Sequence, residues 1–139
     1  MSNNNTRGGS VRQVAYLWQL DTAYRNPGRG QHPDALSHGF HPKNPNATYS
    51  PAFHVTRGSK YATQYISMTK SLQVARRCAK RPIYVIDLSK VKGTVIDLTD
   101  DVVRNNLLRH PIANNLAKAS AEILLEGTIP ASAIAGTIS

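Results

Sequence analysis

The stretch Lys118-Ala-Ser-Ala-Glu-Ile-Leu-Leu-Glu-Gly-Thr-Ile-Pro130 constrains the fold more than any other. Aliphatic and β-branched residues fill it, and Gly127 and Pro130 close it, a pattern that predicts a β-strand. Side chains alternate along a strand. Ala119, Ala121, Ile123 and Leu125 then share a wholly apolar face that belongs to a core. Ser120, Glu122, Leu124 and Glu126 share the other. A carboxylate in mid-strand is costly if buried and unpaired. Glu122 therefore sits on a solvated face or in an ion pair, or it is a catalytic carboxylate on the wall of a cleft.

The chain has 139 residues, enough for one domain around one core. We expect a flexible segment over residues 1–12 and a folded domain over 13–139. A hydrophobic content of 40% and a mean hydropathy of −0.36 suit a soluble globular protein. No apolar run approaches the roughly 20 residues that span a bilayer, so membrane insertion is not expected. Residues 1–10 lack the apolar core of a signal peptide, so none is expected. The single Cys78 excludes an internal disulfide and reads as a small packed residue. The net charge of +9 favours an anionic partner: nucleic acid, a phosphate-rich cofactor, an acidic protein or a membrane surface. The run Arg76-Arg77-Cys78-Ala79-Lys80-Arg81 reads as a solvated helix end, where cations suit the helix dipole.

Taken in order, the chain predicts about six strands with short helices between them. Val14–Leu20 reads as a buried strand, followed by a turn-rich segment from Arg25 to Gly30. Pro33–His38 reads as a short helix, stopped by Gly39. His41 to Pro51 holds three prolines and reads as an irregular loop. Phe53–Val55 reads as a short strand and Gln64–Thr69 as a clear one, with Tyr65, Ser67 and Thr69 on one face. Ser71 caps a helix from Leu72 to Lys80. Strands follow at Ile83–Leu88 and Gly93–Leu98. Thr99 or Asp100 caps a helix reaching about Arg109, and Pro111–Lys118 is a further helical turn. The glutamate strand and a last strand within Ala131–Ile138 close the domain. Helices do not alternate regularly with strands, so the class is α+β rather than doubly wound.

Polar residues intrude into three of these strands: Gln19-Leu-Asp21, Ser67-Met-Thr69 and Ser120-Ala-Glu122. Together they suggest strands lining one cleft. The order of motifs resembles the mono-ADP-ribosyltransferase toxins, cholera-toxin-like and pierisin-like members most of all. Leu17-Trp-Gln-Leu-Asp21 stands at the family's first strand, and Ser37-His-Gly-Phe40 at its Gly-Phe helix end. His54-Val-Thr-Arg-Gly58 resembles a loop element of the cholera-like members. Tyr65-Ile-Ser-Met-Thr-Lys-Ser-Leu72 resembles the Ser-Thr-Ser strand, and Ser120-Ala-Glu-Ile-Leu-Leu-Glu-Gly-Thr-Ile-Pro130 the catalytic strand.

The resemblance implies a split β-sheet core around an NAD cleft, and transfer of ADP-ribose from NAD with release of nicotinamide. No metal is implied. Glu122 would stabilise the oxocarbenium-like sugar and hold its 2′-OH. Ser67 would orient Glu122 and contact the nicotinamide ribose, and Thr69 would support it. Gln19, Leu20 and Asp21 lie where the family grips NAD, and His54 would contact the adenosine side. Gln19 stands at the family arginine and cannot supply its charge; Arg25 would substitute, or else Arg57 or Arg12 would serve the phosphates. Ser120 occupies the position where Glu marks arginine-modifying members, which argues against an arginine acceptor.

The resemblance thus implies a toxin domain acting in the cytoplasm of a target cell, as part of a larger secreted effector. Its partners would be NAD, a macromolecular acceptor and an immunity protein. The charge leans the acceptor toward RNA or DNA over protein. A metal-independent ribonuclease using His38, His41, His54 or His110 is the alternative. The histidines lack Cys or carboxylate partners at metal-ligand spacing.

Overall fold

The computed structural model describes residues 21–28 and 34–139. The expected strand over 14–20, with Gln19 and Leu20, lies outside these, as do residues 1–12, His32 and Pro33. Six strands are present among the described residues: β1 (Thr22–Arg25), β2 (Tyr65–Thr69), β3 (Ile83–Asp87), β4 (Lys92–Asp97), β5 (Glu122–Thr128) and β6 (Ile134–Ile138). The helices are α1 (Ala35–His38), α2 (Pro51–Arg57), α3 (Leu72–Arg77), α4 (Asp101–Leu107) and α5 (Pro111–Ala119). The strands form one sheet in the order β4-β5-β2-β1-β3-β6, with every neighbouring pair antiparallel.

Alternation along β2 and β5 sends side chains into two cores. Ile66, Met68, Ile123 and Leu125 join Ala23, Tyr84, Ile86 and Ile129 on one face. Tyr65 and Leu124 join Leu98, Leu108, Ala113 and Ala117 on the other, beneath α4 and α5. Ile123, Leu124 and Leu125 are fully buried, and each such side chain contributes roughly 1.5–3 kcal/mol. Glu122 stands one step before this triplet, on the Tyr65 face. The apolar residues thus fix the direction in which the carboxylate points.

The sheet has a seam. β2–β5 and β1–β3 are long ladders, whereas β1 and β2 share the single pair Tyr24↔Thr69. Beyond it β1 turns away: the Asn26 side-chain amide donates to the carbonyls of Ala75 and Lys80, near the end of α3. The halves β4-β5-β2 and β1-β3-β6 therefore part at Arg25 and Ser67. This is the split core implied by the resemblance.

Glycines shape the neighbourhood. Gly39, at φ 70°, ends α1, and a Cβ there would stand 2.1 Å from Ile129 O. That approach lets Phe40 bridge to Ile129, which places Phe40 in the core. The Gly-Phe and Gly-Thr-Ile-Pro motifs thus meet in space. Gly127 lies opposite Gly93, where a Cβ would stand 1.9 Å from Lys92 O.

Four expectations need correction. Phe53–Val55 is not a strand but the middle of α2, where Ser50 Oγ accepts from Phe53 N and Pro51 occupies the first turn. Lys118 and Ala119 end α5 rather than begin the glutamate strand; Ser120 is the cap, and Ala121, at φ 48°, turns the chain into β5. The helix after Ser71 stops at Arg77. Arg25 ends strand β1 instead of opening a turn.

Candidate active site

A cleft of about 590 Å³ opens at the seam. Arg25, Ile66, Ser67 and Glu122 line it, with Tyr65, His54 and Thr63 beside them. Phe40, His41, Lys43, Gly58 and Tyr61 also border it.

Glu122 begins β5, where the left-handed turn at Ala121 aims it across β2. Ser120 Oγ lies 3.2 Å from Glu122 Oε1 and 2.9 Å from Leu116 O. Burial pushes the Glu122 carboxyl above its ordinary pKa, while the Ser67 and Ser120 hydroxyls and the Arg25 charge oppose that rise. The outcome is a desolvated carboxyl group held by the Ser120 hydroxyl and placed within the field of Arg25.

Arg25 is fixed from three sides. Its Nη1 donates to Ser67 O at 2.7 Å, satisfying a carbonyl that the missing ladder would otherwise engage. Its guanidinium lies over the Phe40 ring, 4.9 Å from the centroid. Its charge faces Glu122. Burial draws its pKa down to about 10, with Glu122 pulling the other way, so it stays charged at neutral pH. Its Nε is shut off from solvent and has no hydrogen-bond partner among the described residues. Arg25 lines the cleft, and a cation there suits an anionic ligand group.

His54 projects from α2. Its Nδ1 lies 2.6 Å from Thr63 Oγ1 and its Nε2 2.7 Å from Ser67 Oγ. Burial, then the charges of Arg25 and Lys43, lower its pKa to about 4, so the ring is neutral at pH 7. The Ser67 hydroxyl also acts on Glu122, drawing its carboxyl pKa down against burial. One assignment serves these groups: Thr63 O–H donates to Nδ1 and Nε2–H donates to Ser67 Oγ, which turns the Ser67 O–H toward Glu122. His54 thus sets the direction of the Ser67 hydroxyl.

The other sequence candidates fall elsewhere. Thr69 is buried below the cleft; its Oγ1 donates to Ser120 O at 2.7 Å and accepts from Ser71 N, bracing the corner before Glu122. Asp21 is exposed, and its carbonyl accepts from Leu88 N. Arg57 is exposed at the end of α2. Glu126 is exposed and contacts Gln64 Nε2 at 3.4 Å. His110 caps α5, and His38 is exposed on α1. No cluster of three His, Cys, Asp or Glu side chains suited to a metal occurs among the described residues. No helix among them is long and apolar enough to cross a membrane.

Sequence reasoning passed over Lys43, Tyr61 and the support that Phe40 gives Arg25. The available signal was charge: residues 35–64 contain neither Asp nor Glu.

The fold is α+β and is shared with several toxins of solved structure. Two single-residue variants of the scabin toxin from Streptomyces scabies superpose with TM-scores of 0.57 and 0.58 at 22% identity. Each match covers 84% of this chain and 62% of the scabin chain. EcPltA matches with a TM-score of 0.56 at 18% identity, over 82% of this chain and 72% of that one. The nicked CARDS toxin matches at 0.54 and 12% identity, over 85% of this chain and 25% of that one. The chain thus spans less than two thirds of the scabin toxin. No curated protein matches it in sequence. Residues 29–139 match the family described as "Domain of unknown function (DUF7587)", and the chain belongs to that family.

Proposed function

We propose that the protein is a mono-ADP-ribosyltransferase toxin domain, transferring ADP-ribose from NAD to nucleic acid, RNA or DNA, in preference to protein. The observation that carries this reading is Glu122, desolvated and bonded by Ser120, lining with Ser67 and Arg25 a cleft in a sheet of this fold.

In that reaction the bond between ribose C1 and the nicotinamide nitrogen breaks, and its electron pair leaves with nicotinamide. An acceptor nitrogen or oxygen bonds C1 and releases its proton. The positive charge that develops on the sugar calls for a fixed anion close by, in a site poor in water. Glu122 supplies that anion, and the Ser120 hydroxyl orients it. Arg25 sets its charge at the cleft wall, where an anionic group would meet it, and opposes the rise that burial imposes on the Glu122 carboxyl. His54 holds Ser67 toward Glu122. Arg25 supplies the positive charge that Gln19 cannot, and Thr69 and Ser120 act through Glu122.

The +9 charge supports a nucleic-acid acceptor. In the same reading the domain acts in the target-cell cytoplasm within a larger effector, and an immunity protein restrains it. The ribonuclease alternative gains no support: His110 caps a helix, and both ring nitrogens of His54 are engaged.

The test mixes the chain with NAD labelled on the adenylate, plus RNA, DNA and cell lysate. Label on nucleic acid that disappears with Glu122→Ala upholds the reading. Label on a protein band keeps the chemistry and changes the acceptor. RNA cleavage without NAD, with no nicotinamide released, overturns it.

A further inference from the structure

Beside the cleft, three aromatic rings form a cluster that the chemistry at Glu122 does not use. Tyr49 stacks on Phe53 with centroids 4.4 Å apart and planes 6° from parallel. Tyr61 leans on both, at 5.2 Å from Phe53 and 6.5 Å from Tyr49. Aromatic side chains normally gain stability by burial. Tyr49 and Tyr61 instead remain 37% and 44% exposed.

The cluster is held firmly. Gln64 Nε2 donates to Tyr49 O at 2.8 Å, and Tyr49 N donates back to Gln64 Oε1 at 3.2 Å. The Tyr65 hydroxyl donates to the same Tyr49 carbonyl at 2.9 Å. A side-chain amide thus clamps a loop residue much as a neighbouring strand would. Ordering exposed rings in this way costs conformational entropy, and an incoming ring would find the surface already arranged.

The surroundings indicate what comes in. Lys43, Arg57 and Lys60 are exposed on the same segment, which has no acidic residue from 35 to 64. Lys43 and Tyr61 both line the Glu122 cleft. Cations interleaved with exposed rings match a polyanion that carries flat aromatic groups. A duplex keeps its base faces stacked on one another, whereas a single strand offers them.

We propose that Tyr49, Phe53 and Tyr61 form a stacking platform for an unpaired nucleobase of single-stranded nucleic acid, with Lys43, Arg57 and Lys60 holding the adjoining phosphates. The site itself stands on its own geometry. Its role, delivering the acceptor base to the sugar at Glu122, rests on the transferase reading above.

The test is binding without NAD, in the full chain carrying Glu122→Gln. Fluorescence anisotropy would compare a labelled single strand of about twelve nucleotides with its duplex. The platform predicts tighter binding of the single strand. Tyr49→Ala with Tyr61→Ala should weaken single-strand binding by about tenfold or more and leave duplex binding within about twofold. Tyr49→Phe with Tyr61→Phe keeps the rings and should retain the affinity. Equal binding of strand and duplex, or a double-alanine variant that binds the strand like its parent, overturns the proposal. So does loss of NAD binding with oligonucleotide binding intact, which would assign the platform to the adenine of NAD. Failure of the unsubstituted chain to release nicotinamide, with the binding pattern as expected, sinks the transferase reading alone.

Discussion

Arg25 Nη1 donates to the carbonyl of Ser67 across 2.7 Å, at the place where the β1–β2 ladder ends. One side chain thereby does two things. It satisfies a strand carbonyl left open by the parting sheet, and it sets a cation opposite Glu122.

Arg25→Leu should therefore remove both at once. The Ser67 carbonyl loses its donor and Glu122 loses its counter-charge. We expect a loss of about 1–3 kcal/mol in urea unfolding, the usual cost of an unsatisfied buried polar group. Arg25→Lys keeps a charge but lacks the planar fork, and should recover only part of the loss. Wild-type stability in Arg25→Leu would show that the bond contributes nothing.

Glu122→Gln keeps the shape and removes the charge. Nicotinamide release should fall on the order of 10²–10⁴-fold, as for other positioned acid–base groups. Stability should not fall with it. The folded carboxyl holds its proton above the ordinary glutamate range, so folding loses stability as pH rises through that interval. The glutamine variant escapes that loss. In the wild type, the acid limb of the rate profile should lie above the pH at which an ordinary glutamate ionises.

His54 titrates in the opposite sense. Its folded pKa is about 4, against 6.5 for a free histidine. The unfolded chain therefore binds the proton more readily between those values. The stabilisation is complete above pH 6.5 and drains away as pH falls toward 4. Thermal midpoints measured over that window should drop more steeply in wild type than in His54→Gln. The lowered carboxyl of Asp97 acts below the ordinary aspartate range and is thus separable.

Ala121 carries a φ of 48° at the corner that aims Glu122. A β-carbon is disfavoured there, whereas glycine adopts this region freely. Ala121→Gly should range from neutral to about 1 kcal/mol more stable, because relief of strain is offset by a freer unfolded chain. Ala121→Val should destabilise, since β-branching makes that conformation worse. Calorimetry on the pair checks both signs.

Much of this architecture was legible because it is periodic. β2, β3, β4 and β5 show alternating or continuous apolar runs, and Ser71 and Asp100 announce the helices they cap. Glu122 and Ser67 emerged from the same alternation, as polar residues out of place on buried strands. Phe53–Val55 misled because Phe and Val favour strands, although Ser50-Pro51 just before them was a helix start. Ser120 looked like strand because small residues suit both states, and only the packing of Ala113 and Ala117 extends α5 that far. Arg25 was harder to place. Asn-Pro-Gly follows it directly and signals a turn, while its partner Ser67 lies 42 residues away. Lys43 and Tyr61 sit in irregular segments, where no period marks a residue.

The single ladder pair at the seam also bears on how the domain would yield to force. Four or more ladder pairs hold each half together along β1–β3, β3–β6, β2–β5 and β4–β5, whereas β1 and β2 share one ladder pair, Tyr24↔Thr69, beside the Arg25–Ser67 hydrogen bond. Pulled apart along that line, the two halves would separate before either one unravelled. A ligand touching both Arg25 and Glu122 would rivet them, so the protein should become mechanically tougher when its cleft is filled.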